Sequence, residues 1–122
     1  MNKKYERYIN YIIEDIQPPY FINMRDNYGL RSGEYKLILD KVFDQPLNII
    51  YHHPKYSVYD INGNQIYFED SSNGYWFKKE YDTNGNLIYI ENSNGLWYKR
   101  EYDSNGNLIY YEDSNGRIID NR

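Results

Sequence analysis

The second half of the chain contains a tandem repeat, and this repeat limits the folds available to it. Three units begin at Tyr59, Tyr81 and Tyr102, so their starts are 22 and 21 residues apart. Each unit contains two Asn-Gly pairs, and an Asn-Gly pair between β-rich segments predicts a hairpin turn because both residues tolerate a positive φ. With a turn every 10 or 11 residues, the repeats are predicted to form an antiparallel β-meander of about six strands.

The turns are predicted to share one chemistry. Most begin with Asp or Asn and end with Asn-Gly, as in residues 82–85, 92–95 and 103–106. This pattern is typical of a type I turn followed by a left-handed glycine, in which the leading side chain accepts from a backbone N–H two residues on. The strands between the turns lack a clean apolar–polar alternation, so we expect a thin sheet with partly wet faces.

The first 46 residues predict a different structure. Apolar residues at helical spacing indicate one helix over residues 3–16, which Pro18 and Pro19 would end. Ser32 is a suitable N-cap for a second helix over residues 34–43. Two further strands are predicted at residues 47–52 and 55–59. The predicted fold class is therefore α+β, with a two-helix head over residues 1–46 and a meander over residues 47–122 forming one folding unit.

Composition and charge exclude several classes of protein. The chain has no cysteine, so it has no disulfides and no thiolate metal sites. Its net charge is -4, and residues 59–122 carry 6 basic against 11 acidic groups, which argues against direct nucleic-acid binding and against an anionic membrane surface. No apolar run approaches the roughly 18 residues of a membrane span. We see no signal peptide and expect a cytoplasmic protein.

Residues with catalytic or metal-binding potential have simpler structural explanations. In Asp-x-Asn-Gly-Asn the glycine is fourth, which is hairpin geometry, whereas an EF-hand loop needs it sixth. The adjacent His52 and His53 would point to opposite sides of a strand, so they cannot chelate one metal together. Repeated carboxylates such as Glu69, Glu91 and Glu112 indicate a solvated row. We therefore expect no catalytic residue, no metal and no cofactor, and the chain is not predicted to be an enzyme.

Residues 21–43 have a spacing of apolar and glycine residues that is similar to a helix-turn-helix. Arg25 stands where such a motif usually needs a small residue, and only Arg31 and Lys36 would supply a basic reading surface. A helical hairpin packed on the sheet is the favoured interpretation. A DNA-binding regulator that uses this segment is kept as an alternative.

The repeat units resemble the YD repeats of bacterial recombination-hot-spot and teneurin-type proteins. The residues that carry the resemblance are Tyr59-Asp60, Tyr81-Asp82 and Tyr102-Asp103 with their glycines, and they cover about half of the chain. The resemblance implies tandem β-hairpins. Three units are too few to enclose another protein, so the shell function of that family is not expected here. The segment over residues 91–103, joined to a short helical head, also resembles small proteins encoded by bacteriophages and mobile elements.

Aromatic residues recurring through the repeats are the best candidates for function. Tyrosine and tryptophan supply rigid, amphipathic contact area and dominate interface hot spots. We predict a non-catalytic module that binds a basic host protein, such as a phage-encoded inhibitor of a defence nuclease of the anti-CRISPR kind. Self-assembly through an open sheet edge and carbohydrate binding are further alternatives. The predicted partner-binding residues are Tyr67, Tyr75, Trp76, Tyr89, Glu91, Trp97, Tyr98, Tyr110 and Glu112.

Overall fold

The chain folds into two compact units, Met1–Gly74 (unit 1) and Tyr75–Arg122 (unit 2). The computed structural model describes residues 3–14, 21–27, 32–38 and 46–122. Within them one helix precedes ten strands, and neighbouring strands in each unit pair antiparallel in chain order. The elements of unit 1 are α1 (Lys3–Ile13), β1 (Phe21–Asn27), β2 (Ser32–Leu37), β3 (Leu47–His52), β4 (Lys55–Tyr59) and β5 (Gln65–Asp70). Those of unit 2 are β6 (Tyr75–Tyr81), β7 (Leu87–Asn92), β8 (Trp97–Tyr102), β9 (Leu108–Asp113) and β10 (Ile118–Asp120).

Unit 1 has one dry sheet face, which α1 covers. Cross-strand pairing aligns buried residues across four strands, with Tyr35 opposite Ile49, Ile49 opposite Val58 and Val58 opposite Tyr67. The helix contributes a buried stripe at i, i+3, i+4 and i+7, as an amphipathic helix should. The residues of that stripe are Tyr5, Tyr8, Ile9 and Ile12.

The first and last strands of unit 1 both reach the helix. The Tyr5 ring centroid lies 4.9 Å from that of Tyr67 on β5, and the Tyr8 centroid lies 6.5 Å from that of Phe21 on β1. Tyr5 and Tyr8 are less than one helical turn apart, about 4.5 Å along the axis. The five-stranded sheet therefore curls around α1.

The predicted second helix is wrong, and with it the two-helix head. Residues 32–37 form strand β2, in which Gly33, Tyr35 and Leu37 alternate with the exposed Lys36. A short apolar run can satisfy either period, and here pairing with β3 decides the outcome, since Leu47, Ile49 and Tyr51 are buried on the same face. The remainder of that predicted helix, residues 39–43, lies outside the described residues.

Two further predictions for residues 21–43 are wrong, the favoured helical hairpin and the helix-turn-helix-like motif, because the described parts of this segment form strands. β1 and β2 form an antiparallel pair, with Phe21 opposite Leu37 and a bulge between Asn23 and Arg25. No recognition helix therefore exists within residues 21–27 and 32–38, the described parts of this segment. The first predicted helix is present as α1, which ends at Ile13 rather than at residue 16. Residues 15–20 lie outside the described part of the chain.

The predicted turn chemistry is confirmed. At the turn before β7, the Asp82 Oδ1 accepts the backbone N–H of Asn84 at 2.9 Å and that of Asn86 at 2.8 Å. Gly85 follows at φ +84° and donates its N–H to the Asp82 carbonyl at 3.1 Å. The same side-chain bonds recur in the turns that begin at Asp60, Asn92, Asp103 and Asp113.

A bulge recurs at one position of every repeat and sets the strand register. In the second repeat Glu80 is opposite Tyr89 but Tyr81 is opposite Leu87, so Ile88 is the extra residue. A β-bulge increases local twist and re-aims side chains, and this explains the register that the sequence alone left open. The equivalent extra residues are Ile66 and Ile109.

The predicted thin, partly wet sheet is present in unit 2. None of residues 75–122, all of which the structure describes, is fully buried. In unit 1 the expectation is wrong for the first repeat, because Tyr67 and Glu69 are only 1% and 3% exposed beneath α1. The strands predicted at 47–52 and 55–59 are confirmed as β3 and β4.

Candidate functional site

The register of unit 2 separates its side chains into two faces. Residues directly opposite each other on antiparallel strands share a face, and successive residues alternate. Glu91 is opposite both Lys78 and Trp97, whereas Ile90 is opposite Tyr98. The adjacent aromatic residues Trp97 and Tyr98 therefore lie on opposite faces.

We call these the Trp/Glu face and the Tyr/Arg face. The Trp/Glu face consists of Trp76, Lys78, Glu80, Tyr89, Glu91, Trp97, Lys99, Glu101, Tyr110, Glu112, Ile118 and Asp120. The Tyr/Arg face consists of Tyr75, Phe77, Lys79, Tyr81, Ile90, Asn92, Tyr98, Arg100, Tyr102, Tyr111, Asp113 and Ile119.

The structure brings six of the nine predicted partner-binding residues together on the Trp/Glu face. They are Trp76, Tyr89, Glu91, Trp97, Tyr110 and Glu112. Of the other three, Tyr75 and Tyr98 lie on the Tyr/Arg face. Tyr67 is in the core of unit 1, where its ring packs against Tyr5 and no partner can reach it.

The two faces differ in charge. The Trp/Glu face carries five carboxylates and two lysines, a net of -3, whereas the Tyr/Arg face carries two basic residues and one acid, a net of +1. Arg122, which follows β10, contacts the Trp/Glu face, with its guanidinium 3.1 Å from Glu101 and 4.1 Å from the Tyr110 ring centroid. Even with this arginine the Trp/Glu face stays acidic, so it favours a basic partner.

Neighbouring side chains hold the aromatic rings of the Trp/Glu face in place. The Tyr89 hydroxyl donates to Glu91 Oε1 at 2.9 Å, and the Lys78 Nζ lies 3.5 Å from Glu91 Oε2 and 5.9 Å from the Tyr89 ring centroid. The Lys99 Nζ lies 5.6 Å from the Trp97 ring centroid. The ion pair and the cation–π contacts are each worth less than about 1 kcal/mol at exposed sites, so they orient the rings more than they stabilise the fold.

The tyrosine hydroxyls of this face remain neutral well above neutral pH. Desolvation, together with the hydrogen bond to Glu91, raises the pKa of Tyr89 to about 12. Desolvation and the nearby charge of Glu112 also raise the pKa of Tyr110. The negative charge of the face therefore comes from its carboxylates, while the tyrosines act as neutral hydrogen-bonding rings.

Arginines stack on the rings of the Tyr/Arg face. The Arg100 guanidinium lies 4.6 Å from the Tyr98 ring centroid and 5.8 Å from that of Tyr111, and these two rings stack at 6.1 Å. Arg117 lies 6.0 Å from the Tyr111 centroid. These contacts orient the rings of the Tyr/Arg face, as the lysine and Arg122 contacts do on the Trp/Glu face.

Sequence reasoning missed the charged neighbours of the rings, above all Lys78, Lys99 and Arg122. A lysine stands two residues after the tryptophan in both Trp76-Phe77-Lys78 and Trp97-Tyr98-Lys99, and this spacing places the two side chains on one face of a strand. That signal was available in the sequence. The position of Arg122 depends on its bonds to Asp120 and to Glu101 on β8, and the second of these is a long-range contact that the repeat pattern does not fix.

Other functional classes gain no support from the described side chains. Among residues 3–14, 21–27, 32–38 and 46–122, no three His, Asp or Glu side chains gather as metal ligands. The His53 Nδ1 is 3.2 Å from the Tyr51 hydroxyl at the end of β3. No helix in this part of the chain has the length and apolar character needed to cross a membrane.

A scan of protein-family models and a search of curated proteins return no match for this chain.

Proposed function

We propose that the chain is a non-catalytic protein-binding module whose binding surface is the Trp/Glu face of unit 2. One observation carries this proposal: the face brings together both tryptophans of the chain, two recurring tyrosines and five carboxylates. Tryptophan and tyrosine are the residues most enriched in binding hot spots. The carboxylates around them would steer a basic partner and select against an acidic one.

The spacing of the rings supports a protein partner. Trp76 and Trp97 lie on strands β6 and β8, which are two strands apart, or roughly 10 Å in a sheet. Tyr89 and Tyr110, on β7 and β9, interleave with them. Four aromatic residues on four adjacent strands form a patch wide enough for the central contact of a standard interface.

The specific form of the proposal is a phage-encoded inhibitor of a bacterial defence nuclease, of the anti-CRISPR kind. Nucleases bind nucleic acid through basic grooves, and an acidic face with rigid aromatic rings is complementary to such a groove. The resemblance to small phage-encoded proteins supports this form of the proposal, and the YD-type repeats bear only on its hairpin architecture.

Affinity capture from bacterial lysate with three baits tests the proposal. The wild type and the Tyr98→Ala variant should retain the same basic protein at moderate salt, whereas Trp97→Ala should lose it. The reason is that Trp97 lies on the Trp/Glu face and Tyr98 lies on the Tyr/Arg face. Unfolding curves of the variants establish that both are folded. Retention of no specific protein, or equal loss with both variants, would contradict the proposed surface.

Self-assembly through a sheet edge is the second candidate. Strand β10 ends the strand order of unit 2, and its Ile118 is 60% exposed. Its three residues offer few free backbone groups, and short edge strands are a known protection against pairing. Light scattering tests this candidate, since a strict monomer at high concentration would exclude it.

A further inference from the structure

The three repeats place a Tyr-x-Glu pair at the same position of their first strand. The pairs are Tyr67 and Glu69, Tyr89 and Glu91, and Tyr110 and Glu112. In the first two pairs the tyrosine hydroxyl donates to the Oε1 of the glutamate at 2.9 Å. The local structure of the pair is therefore the same in unit 1 and in unit 2.

In unit 1 this position is covered by a helix. The Tyr5 ring of α1 packs on Tyr67 at 4.9 Å, and both Tyr67 and Glu69 are almost fully buried. The amphipathic stripe of α1 supplies the covering side chains. The protein thus shows within its own fold how a Tyr-x-Glu strand accommodates a helix.

In unit 2 the equivalent position has no helix of the same unit above it. Residues 75–122 form strands and turns only, and Tyr89, Glu91, Tyr110 and Glu112 are half-buried. The neighbouring strands also differ, because Tyr56 is the residue opposite Glu69, whereas Lys78 and Lys99 are opposite Glu91 and Glu112. The position is therefore aromatic but charged, which fits a transiently bound partner better than a permanently buried core.

We propose that the Trp/Glu face binds an amphipathic helix of the partner, with apolar or aromatic residues at i, i+3, i+4 and i+7 and a net positive charge. This inference rests on the proposed function and names the partner's recognition element. The stripe would lie on Trp97, Tyr89 and Tyr110 as that of α1 lies on Tyr67, and basic residues beside it would meet Glu91 and Glu112. A helix of about 11 residues is roughly 16 Å long, close to the roughly 14 Å from β6 to β9, the four adjacent strands that carry Trp76 and these three residues.

The sequence of α1 supplies a suitable probe. Residues 3–13 carry three basic residues and one acid, together with the stripe of Tyr5, Tyr8, Ile9 and Ile12. A free peptide of this length is mostly unfolded in water, so a side-chain staple between positions 6 and 10, both exposed on α1, would hold it helical. The matched control is the same stapled peptide with Ile9→Asp.

Intrinsic tryptophan fluorescence of the full chain gives a selective readout. Both tryptophans of the chain, Trp76 and Trp97, lie on the Trp/Glu face, and unit 1 has none. The emission therefore comes from tryptophans of this face. We expect the stapled peptide to change the emission with a saturable curve, and the Ile9→Asp peptide to bind at least tenfold more weakly. In the protein, Glu112→Lys should weaken binding at least tenfold, whereas Lys79→Glu on the Tyr/Arg face should not.

The outcomes separate this inference from the proposed function. An unchanged emission up to millimolar peptide, or equal binding of the Ile9→Asp peptide, overturns the helix inference. If lysate capture still depends on Trp97 in that case, the proposed surface stands and its partner is not a helix of this kind. If capture also fails, both are wrong.

Discussion

Substitution of Gly85 by alanine tests the turn geometry on which the tandem repeat depends. Gly85 lies at φ +84°, and a Cβ built there would meet no heavy atom within 4 Å. The cost is therefore a backbone cost and not a steric clash with neighbours. A left-handed conformation costs a non-glycine residue about 1–2 kcal/mol. Alanine also lowers the conformational entropy of the unfolded chain, and this offsets about 0.4–1 kcal/mol of the cost. We expect a net destabilisation of about 1 kcal/mol, or a Tm lower by roughly 4 °C.

Urea unfolding followed by far-UV circular dichroism measures this difference directly. Gly85→Asn should cost less than Gly85→Ala because asparagine tolerates positive φ better than other side chains. The matched control is Thr83→Ala, an exposed residue of the same turn, which should change stability by less than about 0.5 kcal/mol. A Gly85→Ala protein as stable as the wild type would refute the assignment of this turn.

Three further predictions concern the core and the pH dependence of stability. Glu69→Ala should destabilise the chain by about 2 kcal/mol, since it removes a buried acceptor of the Tyr67 hydroxyl, whereas Glu91→Ala at the half-buried equivalent should cost less in the same urea assay. Burial raises the pKa of Tyr5 to about 12, so the folded state favours the neutral hydroxyl. The free energy of unfolding should therefore fall as the pH rises from 10 to 12. In the Tyr5→Phe variant this fall should be less steep. The hydrogen bond from the backbone N–H of Asn86 lowers the pKa of Asp82. The stability that this carboxylate contributes should therefore be present above pH 4 and be lost on acidification. Asp82→Asn should remove this contribution in acid titrations followed by circular dichroism.

Much of the fold was predictable because turns are local. The Asn-Gly pairs and their leading Asp or Asn residues fix each corner through bonds within four residues, and the six strands after Tyr59 follow from them. The second helix could not be excluded locally, because Tyr35 and its neighbours satisfy a helical and a strand period alike. Its replacement by β2 depends on pairing with β3, which is a long-range contact.

The candidate surface was predictable in composition but not in arrangement. Trp97 and Tyr98 are adjacent in sequence, and only the register places them on opposite faces. Tyr67 occupies the same repeat position as Tyr89 and Tyr110, and nothing in the repeat shows that α1 covers the first of them. Burial by an element outside the repeat is a tertiary effect, so sequence periodicity cannot reveal it.

Site-directed cross-linking tests the central claim, that the Trp/Glu face is the binding surface. The chain has no cysteine, so Glu101→Cys on this face and Lys79→Cys on the Tyr/Arg face can each carry one photoreactive group in a clean background. We predict a covalent adduct with the captured partner from Glu101→Cys and none from Lys79→Cys. An adduct from Lys79→Cys alone, or equal adducts from both positions, would contradict the account.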